Sequence, residues 1–278
     1  MTKRKTNNAT DIADKNFKKL SIQVSLNGLS FCVADTVSHQ ILNSDRVDFA
    51  QQQHAPALLH ELQKLFDVHG IADQLFDEVV VVHRNAFFTI VPQALFQSDH
   101  LEEYLKLNIK ILQDDVIAHD ELETQEMVNV YVPFMNINNY IYELFGEFVY
   151  MHNGTVLIET LLTKYGNQEE TVCYGYVGKN LLDIVVMRQK QLLLYNSFHY
   201  STKEDFAYYL LFVMEQLELN TDTVCVKFFG DMEEDDPRYL LCHAYIKNIS
   251  IFAPSPSDHL KFGDHESTTI DFTVLNTL

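Results

Sequence analysis

The sequence predicts an α/β fold of two like lobes, each built on a mixed sheet, that face one another across a cleft. The first observation is a repeated hairpin pattern: residues 20–35 read LSIQVSLNGLSFCVAD and residues 171–187 read TVCYGYVGKNLLDIVVM, each with two apolar runs split by a short Asn/Gly turn. The second is that a third strand, an amphipathic helix and a further apolar strand follow both hairpins. A repeat of this kind is typical of a duplicated domain.

Composition narrows the class of protein. A chain of 278 residues that is 47% hydrophobic can bury a substantial core. Its formal net charge of -19 argues against nucleic acid or an anionic membrane surface as a partner, since both require an excess of Lys and Arg. No apolar stretch approaches the roughly 18 residues of a membrane span, so we expect no membrane insertion. The chain is predicted to be cytoplasmic.

The four cysteines support the same compartment. Cys32, Cys173, Cys225 and Cys242 show no CxxC spacing, and three of them lie in apolar strand-like runs. We expect all four to be reduced and at least three to be buried, as small hydrophobic side chains.

The first half of the chain opens with a polar segment, residues 1–16, that we predict to be a disordered lead-in. After the first hairpin, HQILNSDRVDF is predicted to form a third strand. Pro56 then opens a helix whose apolar residues Leu58, Leu62 and Leu65 share one face. Residues 77–92, DEVVVVHRNAFFTIVP, are predicted to form a hairpin that turns at Arg84 and Asn85.

The middle of the chain alternates between helices and strands. Residues 99–108 are predicted to form a helix with an Asp cap, and the acidic residues 113–124 an exposed loop. A strand in MVNVYVPFM follows. Two helices, ended by Gly146 and Gly166, then flank a short strand in FVYMH.

The second half repeats the first. QLLLYNSFHY is the predicted third strand, Thr202 and Asp205 have the spacing of a capping box before a long helix, and TVCVKFFG is a buried strand. A helix in RYLLCHAYIKN and a strand in ISIF complete the lobe, and TTIDFTVL near the end could add an edge strand. We predict a first lobe over 17–125, a second over 126–252 and a carboxyl-terminal extension over 253–278.

This order of elements resembles a known fold. The strand pair of 79–92 leading into an acidic helix, and the helix, Gly turn and short strand of 140–152, look like the actin-like ATPases of type IV pilus assembly and the wider sugar kinase, Hsp70 and actin fold. More narrowly, the chain resembles a bacterial domain-of-unknown-function family with that fold. The resemblance covers about residues 18–252 and implies a nucleotide site between the two hairpin turns.

Neither turn carries the residues that the resemblance implies for an active member. There, a strand-borne Asp holds magnesium and glycines let the backbone approach the phosphates. The first turn here has no carboxylate and a single Gly, and in the second, Tyr174 and Tyr176 stand where a phosphate would pass. The candidate cleft residues are Ser25, Asn27, Gly28, Tyr174, Tyr176, Gly178 and Gly230, and the candidate metal carboxylates are Asp183 and Asp231.

Two functions from different classes follow. The favoured hypothesis is a non-catalytic interaction or scaffold protein, with an unidentified protein partner and no cofactor, in which Tyr174 and Tyr176 fill the nucleotide space from one face of their strand. The alternative is an ATP-binding or slowly ATP-hydrolysing protein in which Asp183, Asp231 or backbone donors replace the usual groups.

Overall fold

The first lobe is built on a five-stranded mixed sheet. The computed structural model describes residues 16–106, 109–112, 115–255, 259–263, 265 and 269–278. Strands β1 (Lys18–Ser25), β2 (Gly28–Asp35) and β3 (Ile41–Asp48) form an antiparallel meander, while β4 (Glu78–Arg84) and β8 (Val149–His152) extend it in parallel, giving the order β3-β2-β1-β4-β8. The predicted lead-in, residues 1–16, lies outside the described residues except for its last position.

The second sheet repeats this plan strand by strand. Strands β9 (Val172–Val177), β10 (Leu181–Arg188) and β11 (Gln191–His199) form the meander, and β12 (Cys225–Gly230) and β13 (Ile249–Ile251) add in parallel, giving the order β11-β10-β9-β12-β13. Position and direction of each strand match between the two sheets. The predicted duplicated α/β fold with two mixed sheets is therefore confirmed.

A third sheet, of three strands, is inserted in the sequence between β4 and β8 of the first sheet. It contains β5 (Phe88–Pro92), β6 (Ala118–Leu122) and β7 (Met127–Tyr131) in the antiparallel order β5-β7-β6. The helices are α1 (Ala55–His69), α2 (Leu101–Leu105), α3 (Met135–Phe145), α4 (Asn153–Tyr165), α5 (Lys203–Gln216), α6 (Pro237–His243) and α7 (Phe272–Leu275). None of the helices formed by the described residues is both long and apolar enough to cross a membrane.

Local sequence signals account for the long helices. Pro56 lies in the first turn of α1, the His54 side chain accepts from the Ala57 amide, and Gly70 ends the helix in the left-handed conformation at φ 59°. The predicted capping box of α5 is present in full. In α1, Leu58, Leu62 and Leu65 pack on β1 and α3 in the first-lobe core.

The chain between β4 and β5 does not form the predicted hairpin. Arg84 is the last residue of β4 and is buried, and β4 and β5 belong to different sheets. The buried Asn85 causes the separation, because its amide nitrogen donates to the Val132 carbonyl at 3.0 Å and its oxygen accepts from the Phe87 amide at 2.8 Å. These bonds lead the chain away from β4 and toward β7.

Two further expectations are wrong. The acidic residues 113–124 contain strand β6, so they are not simply an exposed loop, and Leu122 is fully buried. In the segment predicted as an edge strand, Phe272–Leu275 form helix α7 instead, because the Asp271 side chain accepts from the Thr273 amide at 2.8 Å and caps the helix.

The cysteine prediction is confirmed. All four thiols are free, and Cys32, Cys173 and Cys242 are buried, whereas Cys225 is partly exposed. Burial raises the pKa of each of the three buried thiols to about 12.

The predicted division between the lobes at residues 125 and 126 stays a prediction. Main-chain hydrogen bonds between β6 and β7 cross it, and β8 belongs to the first sheet. We propose that the first lobe continues through the three-stranded sheet to residue 152, so that α4 leads into the second lobe.

Candidate functional site

The two hairpin turns meet at the centre of the molecule. In the first turn, Ser25 Oγ accepts from the Gly28 amide at 3.0 Å and donates to the Gly28 carbonyl at 2.9 Å. In the second, the Gly178 amide donates to the Leu181 carbonyl at 2.9 Å. The space between the turns is about 30 Å³ and is lined by Gln23, Ser25, Asn27, Gly28, Leu29, Ser30, Arg46, Asp48, Arg84, Gly178, Lys179, Leu181 and Asp271.

A buried ion pair joins the lobes beside this space. Arg84, at the end of β4, donates from Nε at 3.0 Å and from Nη2 at 2.8 Å to Asp183 Oδ2 in the middle of β10. Asp183 Oδ1 accepts from Ser197 Oγ at 2.5 Å and from the Tyr195 hydroxyl at 3.2 Å. Burial lowers the pKa of Arg84, but the charge of Asp183, its hydrogen bond and the nearby Tyr176 and Asp271 together outweigh that effect, so the net pKa is raised.

Two more basic side chains cross between the lobes. Arg46 on β3 contacts Asp231, just after β12, at 2.5 Å, and Asp48 at 3.1 Å. Lys179, in the second turn, donates to the Phe49 carbonyl at 2.5 Å. All three basic residues that line the space between the turns therefore already have partners within the chain.

Tyr176 and the carboxyl-terminal segment fill the rest of the site. The Tyr176 ring stacks on Phe229 at 4.9 Å, and the Arg84 guanidinium lies 4.0 Å from the ring centroid on its face. The Tyr176 hydroxyl donates to Asp271, whose other oxygen accepts from Gln23 Nε2 at 2.6 Å. Burial and the charge of Asp271 raise the pKa of Tyr176 well above its usual value.

The predicted residues are thus partly brought together. Ser25, Asn27, Gly28 and Gly178 line one space, and Tyr176 lies next to it through its contact with Arg84. Tyr174 shares the face and the core cluster of Tyr176 but packs on Phe252 at 5.4 Å. Gly230 has φ 88°, and a Cβ there would come within 3.0 Å of the Tyr176 ring. Asp183 and Asp231 each bind a different arginine.

Sequence reasoning missed the residues that hold the site closed. The sequence pattern predicts a turn at Arg84, although a charged residue two positions after a run of four valines is a signal that it needs a buried partner. Arg46, Lys179 and Asp271 carry no comparable signal, because their partners lie far away in the sequence.

A larger cavity lies between the starts of α1 and α3 and the segment that joins α2 to β6. It has a volume of about 560 Å³, and its lining is mostly apolar: Leu26, Ala55, Pro56, Leu59, Phe87, Ile109, Lys110, Leu112, Asp115, Val116, Val132, Pro133, Phe134, Met135 and Asn136. We call it the apolar groove. The side-chain amide of Asn136 donates to the Ala55 carbonyl at 2.6 Å and fixes the start of α3 to the start of α1. The groove has the size of a ligand or peptide site.

Two histidines are buried, and one of them, His83, contacts a residue that lines the groove. His83 Nδ1 accepts from the Phe134 amide at 3.2 Å, and burial lowers the pKa of His83 to about 4. Burial lowers the pKa of His152 to about 3, and its Nε2 contacts the Asn85 carbonyl at 3.1 Å. Burial raises the pKa of Asp120 to about 6, although it accepts from the His152 amide at 2.8 Å. Both rings are therefore neutral at pH 7.

Comparison with known proteins identifies the family. The family described as "Protein of unknown function (DUF3822)" matches residues 7–249. The chain belongs to this family. None of the curated protein sequences compared with this DUF3822 chain gives a significant match.

Solved structures identify the fold. A Bacteroides thetaiotaomicron protein with an actin-like ATPase fold and unknown function is 21% identical, with 98% of this chain and 100% of that chain covered at a TM-score of 0.76. A type IV pilus biogenesis complex, PilM-PilN, is 12% identical over 93% of this chain and 97% of that chain at a TM-score of 0.58. The DUF3822 chain therefore has the actin-like fold that the sequence predicts.

Proposed function

We propose that the protein is a non-catalytic interaction protein on the actin-like ATPase fold, which binds a partner protein in the apolar groove. The observation that carries the proposal is that the space between the hairpin turns is filled by side chains of the chain itself. A cytoplasmic location belongs to the same proposal and is supported by the four free thiols.

The residues between the turns do not fit an ATP and magnesium complex. The space of about 30 Å³ has room for little more than a water molecule, whereas small-molecule sites span about 300–1,000 Å³. A Cβ on Gly28 would come within 2.6 Å of the Val47 carbonyl oxygen, so this glycine serves strand packing and does not open a path for phosphates. Asp183 and Asp231 already bind arginines.

The contacts between the lobes also oppose nucleotide-driven motion. Opening the cleft would break the pairs of Arg84 with Asp183 and of Arg46 with Asp231, as well as the Lys179 bond. The first of these pairs is almost fully buried, with side-chain exposures of 8% and 0%. Separating a buried pair leaves each charge without its partner in a medium of low polarity.

The proposed occupant of the groove is a short partner segment with large aliphatic side chains. The lining offers apolar surface from two helix starts and from the segments that flank the three-stranded sheet, and among its described residues only Lys110, Asp115 and Asn136 are polar. The PilM-PilN structure, a complex of two proteins on a related fold, supports a protein as the partner. Apolar anchors in a preformed groove are the usual source of binding energy in such complexes.

Calorimetric titration with ATP and magnesium tests the first half of the proposal. We expect no binding at micromolar concentrations. A dissociation constant of about 1 µM or tighter, equivalent to about -8 kcal/mol, that is lost in Asp183→Asn or Asp231→Asn would overturn the proposal and establish the ATP-binding alternative.

Site-specific photocrosslinking tests the second half. A photoreactive residue at Leu59, in the groove, should capture one partner protein in cells, and the same residue at the exposed Val68 of the same helix should not. The purified partner should then bind Val68→Glu normally and Leu59→Glu at least ten times more weakly. Equal binding to both variants would exclude the groove as the docking site.

A further inference from the structure

The carboxyl-terminal segment, residues 269–278, contacts both lobes. We infer that it is a latch: it joins the lobes at the cleft and can leave its seat while both lobes stay folded. The inference goes beyond the proposed function, because it concerns a different surface and does not depend on the groove. Its consequence is a conformational equilibrium in which release of the latch uncovers one face of the first sheet.

Apolar side chains seat the latch on both lobes. Ile270, Val274 and Leu275 pack in one buried cluster with Cys32, Ala34 and Ile41 of strands β2 and β3. This is the face of the first sheet opposite α1, because Leu29, Phe31 and Val33, which alternate with Cys32 and Ala34, pack in the α1 core. Phe272 turns to the second lobe, where its ring lies 5.0 Å from Phe229 and 6.1 Å from Tyr176.

One carboxylate connects the latch to the central strand of each sheet. Asp271 accepts from Gln23 on β1 and from the Tyr176 hydroxyl on β9, and its side chain is buried. Gln23 also donates to Thr273 Oγ1 at 2.7 Å. Because a buried carboxylate is costly without such donors, Asp271 holds its position only when both lobes are in place.

The latch contains little structure that is stable without the lobes. Each lobe, in contrast, has a core that does not include the latch. Its helix, α7, is only four residues long, so it depends on packing for its stability. The two largest core clusters, one in each lobe, contain no described residue from 253–278. An element attached mainly through side chains to two independent cores is the kind that opens before the rest of a protein unfolds.

Cys32 reports on this opening in the intact chain of 278 residues. It is fully buried beneath Ile270 and Val274, whereas Cys173 and Cys242 lie in the second-lobe core, away from the latch. The experiment measures the rate at which a polar maleimide labels each cysteine in the native protein, with the sites identified by mass spectrometry. In the wild-type protein, Cys32 should react faster than Cys173.

The variant Asp271→Ala should raise the Cys32 rate at least tenfold and leave the Cys173 rate unchanged. The synthetic peptide TIDFTVLNTL, added in excess, should slow Cys32 labelling in this variant by occupying the empty seat. Asp222→Ala, at an exposed ion pair in the second lobe, is the control and should change neither rate.

Equal rates for Cys32 and Cys173 in the wild-type protein and in the variant would overturn the inference, because the segment would then open only by global unfolding. If Asp271→Ala does not fold, Asp271→Asn keeps the shape of the side chain and removes its charge. The same selective rise at Cys32 is then required, and its absence in a folded Asp271→Asn also refutes the latch.

Discussion

The substitution Asp183→Asn tests whether the buried ion pair holds the lobes together. The change keeps the size of the side chain but removes its charge. Arg84 then remains buried, with a side-chain exposure of 8%, opposite a neutral group, and one of the two acceptor oxygens becomes a donor, so the four hydrogen bonds that Asp183 accepts cannot all be kept.

The expected loss follows from the contacts. Asp183 accepts two charge-assisted hydrogen bonds from Arg84, at 3.0 and 2.8 Å, and two more from neutral hydroxyls. Removing one partner of a fully buried pair costs about 3–5 kcal/mol, chiefly because the other charge is left without a partner. We expect Asp183→Asn to lower the free energy of unfolding by that amount.

Urea unfolding at pH 7, followed by circular dichroism, measures this loss. Asp222→Asn is the matched control, because Asp222 pairs with Lys247 at 3.0 Å but both side chains are exposed. It should lose less than about 1 kcal/mol. The double variant Arg84→Met with Asp183→Asn should be more stable than Asp183→Asn alone, since it buries no unpaired charge.

A loss in Asp183→Asn no larger than that in the control would show that the ion pair does not hold the lobes together. It would mean that water reaches Arg84 or that the lobes separate at little cost. Closed lobes would then no longer oppose nucleotide binding.

Three further predictions concern stability. Because the pKa values of His83 and His152 are lowered to about 4 and 3, the unfolded chain binds more protons below pH 6.5, and stability should fall as the pH decreases from 6.5 to 4. The raised pKa of Asp120 opposes this fall, so Asp120→Asn should steepen the dependence of melting temperature on pH. A shallower dependence in the variant would contradict the raised pKa of Asp120. Thr202→Ala removes the cap of α5 and should lower the free energy of unfolding, measured in urea, by about 1 kcal/mol. A Thr→Ala change at an exposed position that caps no helix is the control and should leave the free energy of unfolding unchanged. Gly154→Ala, in α4, places a Cβ 2.1 Å from the Tyr195 ring and should lower the free energy of unfolding by about 1–3 kcal/mol. Wild-type stability in that variant would show that α4 can shift.

The duplicated architecture was readable from the sequence because its signals are local. A hairpin shows itself through alternating apolar residues and a turn within about twenty positions, and the Thr202 capping box spans four adjacent positions. The two sheets therefore repeat one strand order and one set of directions, as expected for the duplicated domain that the repeated pattern predicts. The absence of a carboxylate at the first turn was likewise visible in the sequence itself.

The content of the cleft was decided only by the tertiary structure. Arg84 and Asp183 are 99 positions apart, and Gln23 and Asp271 are 248 apart. No periodicity links such residues, because their proximity depends on how two sheets and the end of the chain pack around one point. The same reason explains why β5 does not pair with β4 as predicted. It pairs with β7, which is distant in the sequence, and Asn85 supports that pairing. The sequence determined the repeated strands and the long helices, and packing between the lobes determined which charges meet and what fills the space between the turns.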